Sequence, residues 1–148
     1  MNLILYIHGK GGFAAESEHY KSLFPNCKVL GLDYKTFTPW ETGKEIHDAV
    51  CKLKKTYDKI ILIANSIGED LSWDYLRYVR EHPLSWNVPT KILYGSNDNL
   101  TSYETMSSFA KKHNARLTVM ENGEHWFHTE EQMKFLDEWL TEIQLPIE

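Results

Sequence analysis

Five short apolar runs constrain the fold of this chain more than any other feature. They are Leu3–Ile7, Lys28–Leu32, Lys59–Ala64, Lys91–Tyr94 and Arg116–Met120, and each ends near Gly, Asn or Asp. Their apolar residues are continuous rather than alternating. Strands buried on both faces, as in a parallel sheet, require such runs. Helical patterns lie between them. Thr42-x-x-Glu45, Thr101-x-x-Glu104 and Thr129-x-x-Gln132 each read as a capping box. Behind them follow the stripes Ile46, Ala49, Val50, Leu53 and Tyr57; Met106, Phe109 and Ala110; and Met133, Leu136, Trp139, Leu140 and Ile143. Two further helices are expected over Leu71–Glu81, before Pro83, and over Ser17–Phe24. Strands alternating with helices predict a compact, doubly wound α/β domain. Its sheet should hold five mainly parallel strands in flavodoxin-like order, 2-1-3-4-5, with helices on both faces.

With 148 residues and no linker, repeat or low-complexity tract, the chain 1–148 reads as one domain. The net charge of −5 and the lack of a basic stripe argue against nucleic-acid binding. Lys52, Lys54 and Lys55 read as the wet side of a helix. Cys27 and Cys51 have no disulfide-framework or metal spacing and read as reduced, buried thiols. The first apolar run is too short for a leader or a membrane span. A cytoplasmic protein without membrane association is the expectation.

The third run leads straight into Ala64-Asn65-Ser66-Ile67-Gly68, a small-x-Ser-x-Gly pattern. The small residues matter because a tight strand-to-helix turn brings backbone close on either side of the serine. Such a turn lifts the Ser66 hydroxyl out of the sheet beside a helix N-terminus, where donors favour a developing anion. The plainer reading is a serine that caps a helix. After the first run comes His8-Gly9-Lys10-Gly11-Gly12, whose glycines permit positive φ and close approach of a ligand. It lacks the Gly-Lys-Ser/Thr ending of a phosphate loop. It supplies only part of a dinucleotide fingerprint, with Ala14 at the third glycine position.

Asp98 follows the fourth run in Gly95-Ser96-Asn97-Asp98-Asn99, and His125 follows the fifth in Gly123-Glu124-His125-Trp126-Phe127. Asp98 has a bland alternative as a plain turn residue; of the two histidines, His128 beside Thr129 reads as part of the last helix's first turn, and His125, nearer the strand end, is the better base. All four loops follow strands, and in a parallel sheet such loops share the edge where ligands bind.

Taken together, Tyr6–Gly12, Ala64–Gly68, Leu93–Asp98 and Gly123–Phe127 resemble the small single-domain α/β-hydrolases. That resemblance implies a triad of Ser66, Asp98 and His125, and an oxyanion hole from the backbone N–H groups of Lys10 (or its neighbour Gly9) and Ile67. It implies hydrolysis of a small carboxylic ester, thioester or amide through an acyl-serine intermediate, with no cofactor and no metal. Gly9, Gly11, Phe13, Trp126 and Phe127 are the expected substrate contacts. The chain departs from the family in one respect: Ser66 and Asp98 are close in sequence, as though one βαβ unit were missing. Losing a strand shifts its neighbour by about 4.8 Å. The alternative is therefore a non-catalytic binding protein on a hydrolase scaffold whose triad does not close. Apolar surface left by the shortening, around Leu71–Glu81, is expected to be covered by self-association.

Overall fold

The computed structural model describes residues 1–36, 38–65, 73–83 and 88–142, with no description of the Tyr75 side chain. The chain divides into two compact units, Met1–Pro83 and Leu84–Pro146, the last two residues aside.

In the first unit three parallel strands pair in the order β2-β1-β3: β1 Asn2–Ile7, β2 Lys28–Leu32 and β3 Lys59–Ala64. Ile4 of β1 stands opposite Val29 on one side and Ile61 on the other. A strand paired on both edges has no free backbone polar groups. Its side chains can therefore be apolar throughout, and Leu3, Ile4 and Leu5 are at most 1% exposed. The expected short helix is a 3-10 helix, Ala14–Lys21, lying one turn earlier than Ser17–Phe24. It packs on β2 so closely that a Cβ on Gly31 would sit 1.9 Å from the Ala14 carbonyl oxygen.

Helix α1 runs Pro39–Leu53 and helix α2 runs Trp73–Glu81. Leu71 and Ser72, the expected start of α2, lie outside the described residues. The expected helix start at Thr42 is corrected by one turn. Pro39, whose missing N–H and fixed φ suit a first helical position, follows the N-cap Thr38. Thr42 is instead buried inside the helix, its hydroxyl donating to the Thr36 carbonyl at 2.6 Å. Cys51 is exposed and Cys27 intermediate, so the expectation of buried thiols is corrected too. Cys51 lies off the Ile46–Val50–Leu53 stripe. Trp40 meets Tyr78 edge-on at 5.5 Å, joining α1 to α2. Trp73 is 83% exposed and Leu62 of β3 51%.

In the second unit β4 Lys91–Gly95 and β5 Arg116–Met120 pair in parallel through helix α3, Tyr103–Lys112. The 2-1-3 and 4-5 portions of the expected order are thus present, as a three-stranded and a two-stranded ladder. The N-cap of α3 is Ser102, one residue past the expected Thr101, and its Oγ accepts from Thr105 N at 3.2 Å. The helix ends in a Schellman motif. Asn114 takes φ +51° and Ala115 N–H returns to the Ala110 carbonyl at 2.8 Å, as this left-handed stop requires. Helix α4, Glu130–Glu142, starts where expected: Thr129 Oγ1 accepts from Gln132 N at 3.2 Å. Its Trp139 donates to Thr118 of β5 at 3.0 Å. Among the described residues, no helix is long and apolar enough to cross a membrane.

Two glycine substitutions should move stability in opposite directions. Gly31→Ala drives a methyl into backbone and should cost at least about 1–3 kcal/mol. Gly43, in α1 with nothing near its missing Cβ, should gain about 0.5–1 kcal/mol as Ala from lost backbone entropy in the unfolded chain. Urea denaturation of both variants checks this; equal midpoints would refute the packing of the 3-10 helix on β2.

Candidate active site

Parallel pairing puts the loops after β4 and β5 side by side, and hydrogen bonds lace them together. Ser96 N–H donates to the Met120 carbonyl at 2.9 Å, Asn97 N–H to the Gly123 carbonyl at 2.8 Å, and Asn122 N–H to Ser96 Oγ at 2.7 Å. Glycine at position 95 is required, since a Cβ there would lie 2.4 Å from the Gly123 carbonyl oxygen. Asn122 turns the second loop with φ +59°.

This lacing brings Asp98 and His125 together. Asp98 Oδ2 lies 2.7 Å from His125 Nδ1, and Oδ1 accepts the N–H groups of Leu100 at 2.7 Å and Thr101 at 2.9 Å. The side chains are only 7% and 15% exposed, respectively. Burial by itself pushes the Asp98 carboxyl upward. The hydrogen bond from His125 and those from the Thr101 and Leu100 amides outweigh it and hold the group below its ordinary value. An ionised carboxylate only accepts, so Nδ1 carries a proton, and in the neutral form of the ring Nε2 is the atom with the free lone pair. Beyond His125, Trp126 is 65% exposed and Phe127 is half-buried.

In the first unit the Gly-rich loop is a tight turn. Gly12 N–H donates to the Gly9 carbonyl at 3.1 Å, and Gly11 sits at φ +80°, as the third residue of a type II turn requires. His8 carries no sequence signal beyond its place before the glycines. It is 2% exposed, its ring stacks on Tyr34 at 4.2 Å, and its Nδ1 lies 2.8 Å from the same Gly9 oxygen. The Tyr34 hydroxyl donates to the His8 carbonyl. Among the described residues nothing bonds His8 Nε2, although it is buried. C=O and N–H point opposite ways in a trans peptide. Two donors on the Gly9 oxygen therefore aim the Lys10 N–H away from the turn. Glu16 backs the loop: it accepts from the buried Tyr6 hydroxyl at 2.7 Å, and its carboxylate would lie 2.9 Å from a Cβ on Gly12. Burial first, then Glu16, pushes the Tyr6 phenol far up, which keeps it a donor. Phe13 is 59% exposed. The loop runs into a 3-10 helix rather than an α-helix N-terminus, so the dinucleotide reading loses the dipole on which it rests.

Ser66 and Ile67 lie outside the described residues. Asn65 carries the β1–β3 ladder one rung further, its N–H donating to the Ile7 carbonyl at 3.0 Å. Asn65, the last described residue before that stretch, thus lies beside the end of β1, which His8 follows. Among the described residues, no group of three or more His, Cys, Asp or Glu could hold a metal ion.

The sequence matches no protein-family model and no curated protein. Solved structures do match in shape. A protein of the alpha/beta hydrolase superfamily from Xanthomonas campestris pv. campestris superposes with a TM-score of 0.69 at 11% identity, covering 99% of this chain and 100% of that one. Esterase PE8 gives 0.63 at 14% identity, covering 96% and 92%. A propionate-bound thermophilic esterase from the Planctomycetes species Thermogutta terrifontis gives 0.57 at 15% identity, covering 97% and 84%. The fold is that of the α/β-hydrolases.

The lowered Asp98 carboxyl makes a prediction for stability. A group held down in the folded state contributes stability above its unfolded value, about 3.9 for Asp, and loses it as pH falls through the folded value. The drop in unfolding free energy between about pH 7 and about pH 3 should therefore be smaller in Asp98→Asn than in the wild type. Urea titrations at both pH values measure it; equal drops would show that the fold does not favour the ionised form.

Proposed function

We propose that the protein is a serine hydrolase acting on a small carboxylic ester, thioester or amide through an acyl-serine intermediate. The observation that carries this reading is the buried Asp98–His125 pair at 2.7 Å, which leaves Nε2 basic. In the proposed cycle, Ser66 Oγ attacks the acyl carbonyl carbon while its proton passes to His125 Nε2. The Lys10 and Ile67 N–H groups receive the oxyanion, a contribution of about 10²–10³ per donor in comparable sites. The bond to the leaving group then breaks, and that group takes the proton from Nε2. Water repeats the sequence on the acyl-serine, releasing the acid and restoring Ser66. Asp98 holds the ring in its Nδ1–H tautomer and stabilises the imidazolium.

Gly9 and Gly11 would let the acyl carbonyl approach the loop, and Phe13, Trp126 and Phe127 would supply its apolar contacts. The propionate bound to the Thermogutta terrifontis esterase favours a short acyl group here. The alternative, a binding protein whose triad does not close, is distinguished by the same experiment.

Ser66→Ala and His125→Ala should each abolish turnover of p-nitrophenyl acetate above the roughly 10³–10⁴-fold residue that binding and an oxyanion hole can leave. The double variant should be no worse than either, because the residues act as one unit. Labelling by a fluorophosphonate probe should vanish in Ser66→Ala. Wild-type turnover in Ser66→Ala would remove the hydrolase reading in favour of the binding protein.

A further inference from the structure

His125 sits in a loop whose two flanks are held differently. On the β5 side, backbone bonds from Asn97, Asn122 and Gly123 pin the chain. On the α4 side, Trp126 is largely exposed, so apolar burial holds that half weakly. The buried Gln132 side chain spans the gap, beside an exposed contact of His128 Nδ1 with Glu124 Oε2 at 3.4 Å. Gln132, in the first turn of α4, is 5% exposed. Its Oε1 accepts the His128 N–H at 3.1 Å and its Nε2 donates to Glu124 Oε2 at 3.3 Å. The amide's orientation is forced, because a backbone N–H can only donate and a carboxylate only accepts. Glu124 and His128 bracket His125-Trp126-Phe127, so the Gln132 amide ties the two ends of the segment that carries the imidazole from its buried side, while the His128 ring meets the Trp126 carbonyl and Glu124 on its exposed side. The capping pattern that marks Gln132 in sequence would send its side chain back to Thr129 N–H. The side chain reaches one residue further, into the loop, and joins it to the helix start.

We propose that Gln132 is a positioning residue for His125, its amide holding both flanks of the loop so that the imidazole stays seated on Asp98. The kinetic consequence rests on the hydrolase reading above; the effect on the Asp98–His125 hydrogen bond does not.

Near-isosteric exchanges separate this role from general stability. In Gln132→Glu the bond from His128 N–H can persist, but the donor to Glu124 becomes a second carboxylate facing the first. In Glu124→Gln the amide of Gln132 still finds an acceptor. Combining the two substitutions swaps the amide and the carboxylate between the positions, and the bridge closes again. The readouts are the downfield proton signal of His125 Nδ1–H in histidine-labelled full-length protein, and kcat and KM on p-nitrophenyl acetate.

The wild type and Glu124→Gln should show the same downfield signal. Gln132→Glu should broaden or shift it and lower kcat by about 10–10²-fold with KM within about twofold, since a misplaced group costs the chemical step rather than binding. The double variant should recover both to within about threefold of Glu124→Gln, the coupling expected of two groups in direct contact. An unchanged signal in Gln132→Glu, an unrescued double variant, or no downfield signal in the wild type overturns the proposal. Should Gln132→Glu not fold, Gln132→Met removes both bonds without adding charge, and an unchanged signal there overturns it equally. If the wild type hydrolyses nothing, the function above fails while the proton signal still decides the role of Gln132.

Discussion

Parallel pairing is the constraint from which the rest of the structure follows. A parallel ladder needs a crossover of a dozen or more residues, so every strand ends in a loop on the same side of its sheet. In the first unit this sets the His8–Gly12 turn beside the end of β3, where Asn65 still bonds to Ile7. In the second it sets Ser96–Asp98 beside Asn122–His125, where backbone bonds can lace the two loops. Residues far apart in sequence meet because their strands are neighbours, and the loops need only short, stiff turns. The glycines at 95 and 123 let those turns approach within backbone contact, and the acid–base pair is the product of that approach.

Burying a carboxylate is costly unless its lone pairs are filled. Asp98 meets the condition with three donors: two amides from the turn that follows it and the imidazole from the next loop. The first two arise locally, as an Asx-type turn. Only the third depends on the tertiary fold. The carboxylate is therefore oriented by its own turn, and the imidazole from the next loop supplies the third donor. The same economy operates at the Gly9 carbonyl, where a turn amide and the His8 ring share one acceptor.

The strands were legible in the sequence almost to the residue, because continuous apolar runs bounded by turn residues admit few other readings. Asp98 and His125 were legible as members of loops that follow strands. Helix starts were less so. Thr38 and Thr42 both precede a glutamate at capping distance, and Thr101 and its neighbour Ser102 compete for one helix start. Pro39 decides the first case and the Ser102–Thr105 bond the second. The burial of Cys51 was misjudged because apolar neighbours in sequence fall on a different side of α1. The bridge made by Gln132 had no sequence signal beyond its capping position, since its partner Glu124 is set by the path of a loop.

The first unit leaves apolar side chains exposed on β3 and on α2. β3 carries apolar residues on both faces, the pattern of a strand meant to be covered twice, yet Leu62 is half exposed. Helix α2 shows the same mismatch: Trp73, Leu76 and Val79 recur at helical spacing and all remain exposed. Apolar side chains at these positions are the pattern of surfaces that a further layer would cover. The Asp98–His125 pair does not depend on those surfaces, because the hydrogen bonds that orient it arise within the second unit.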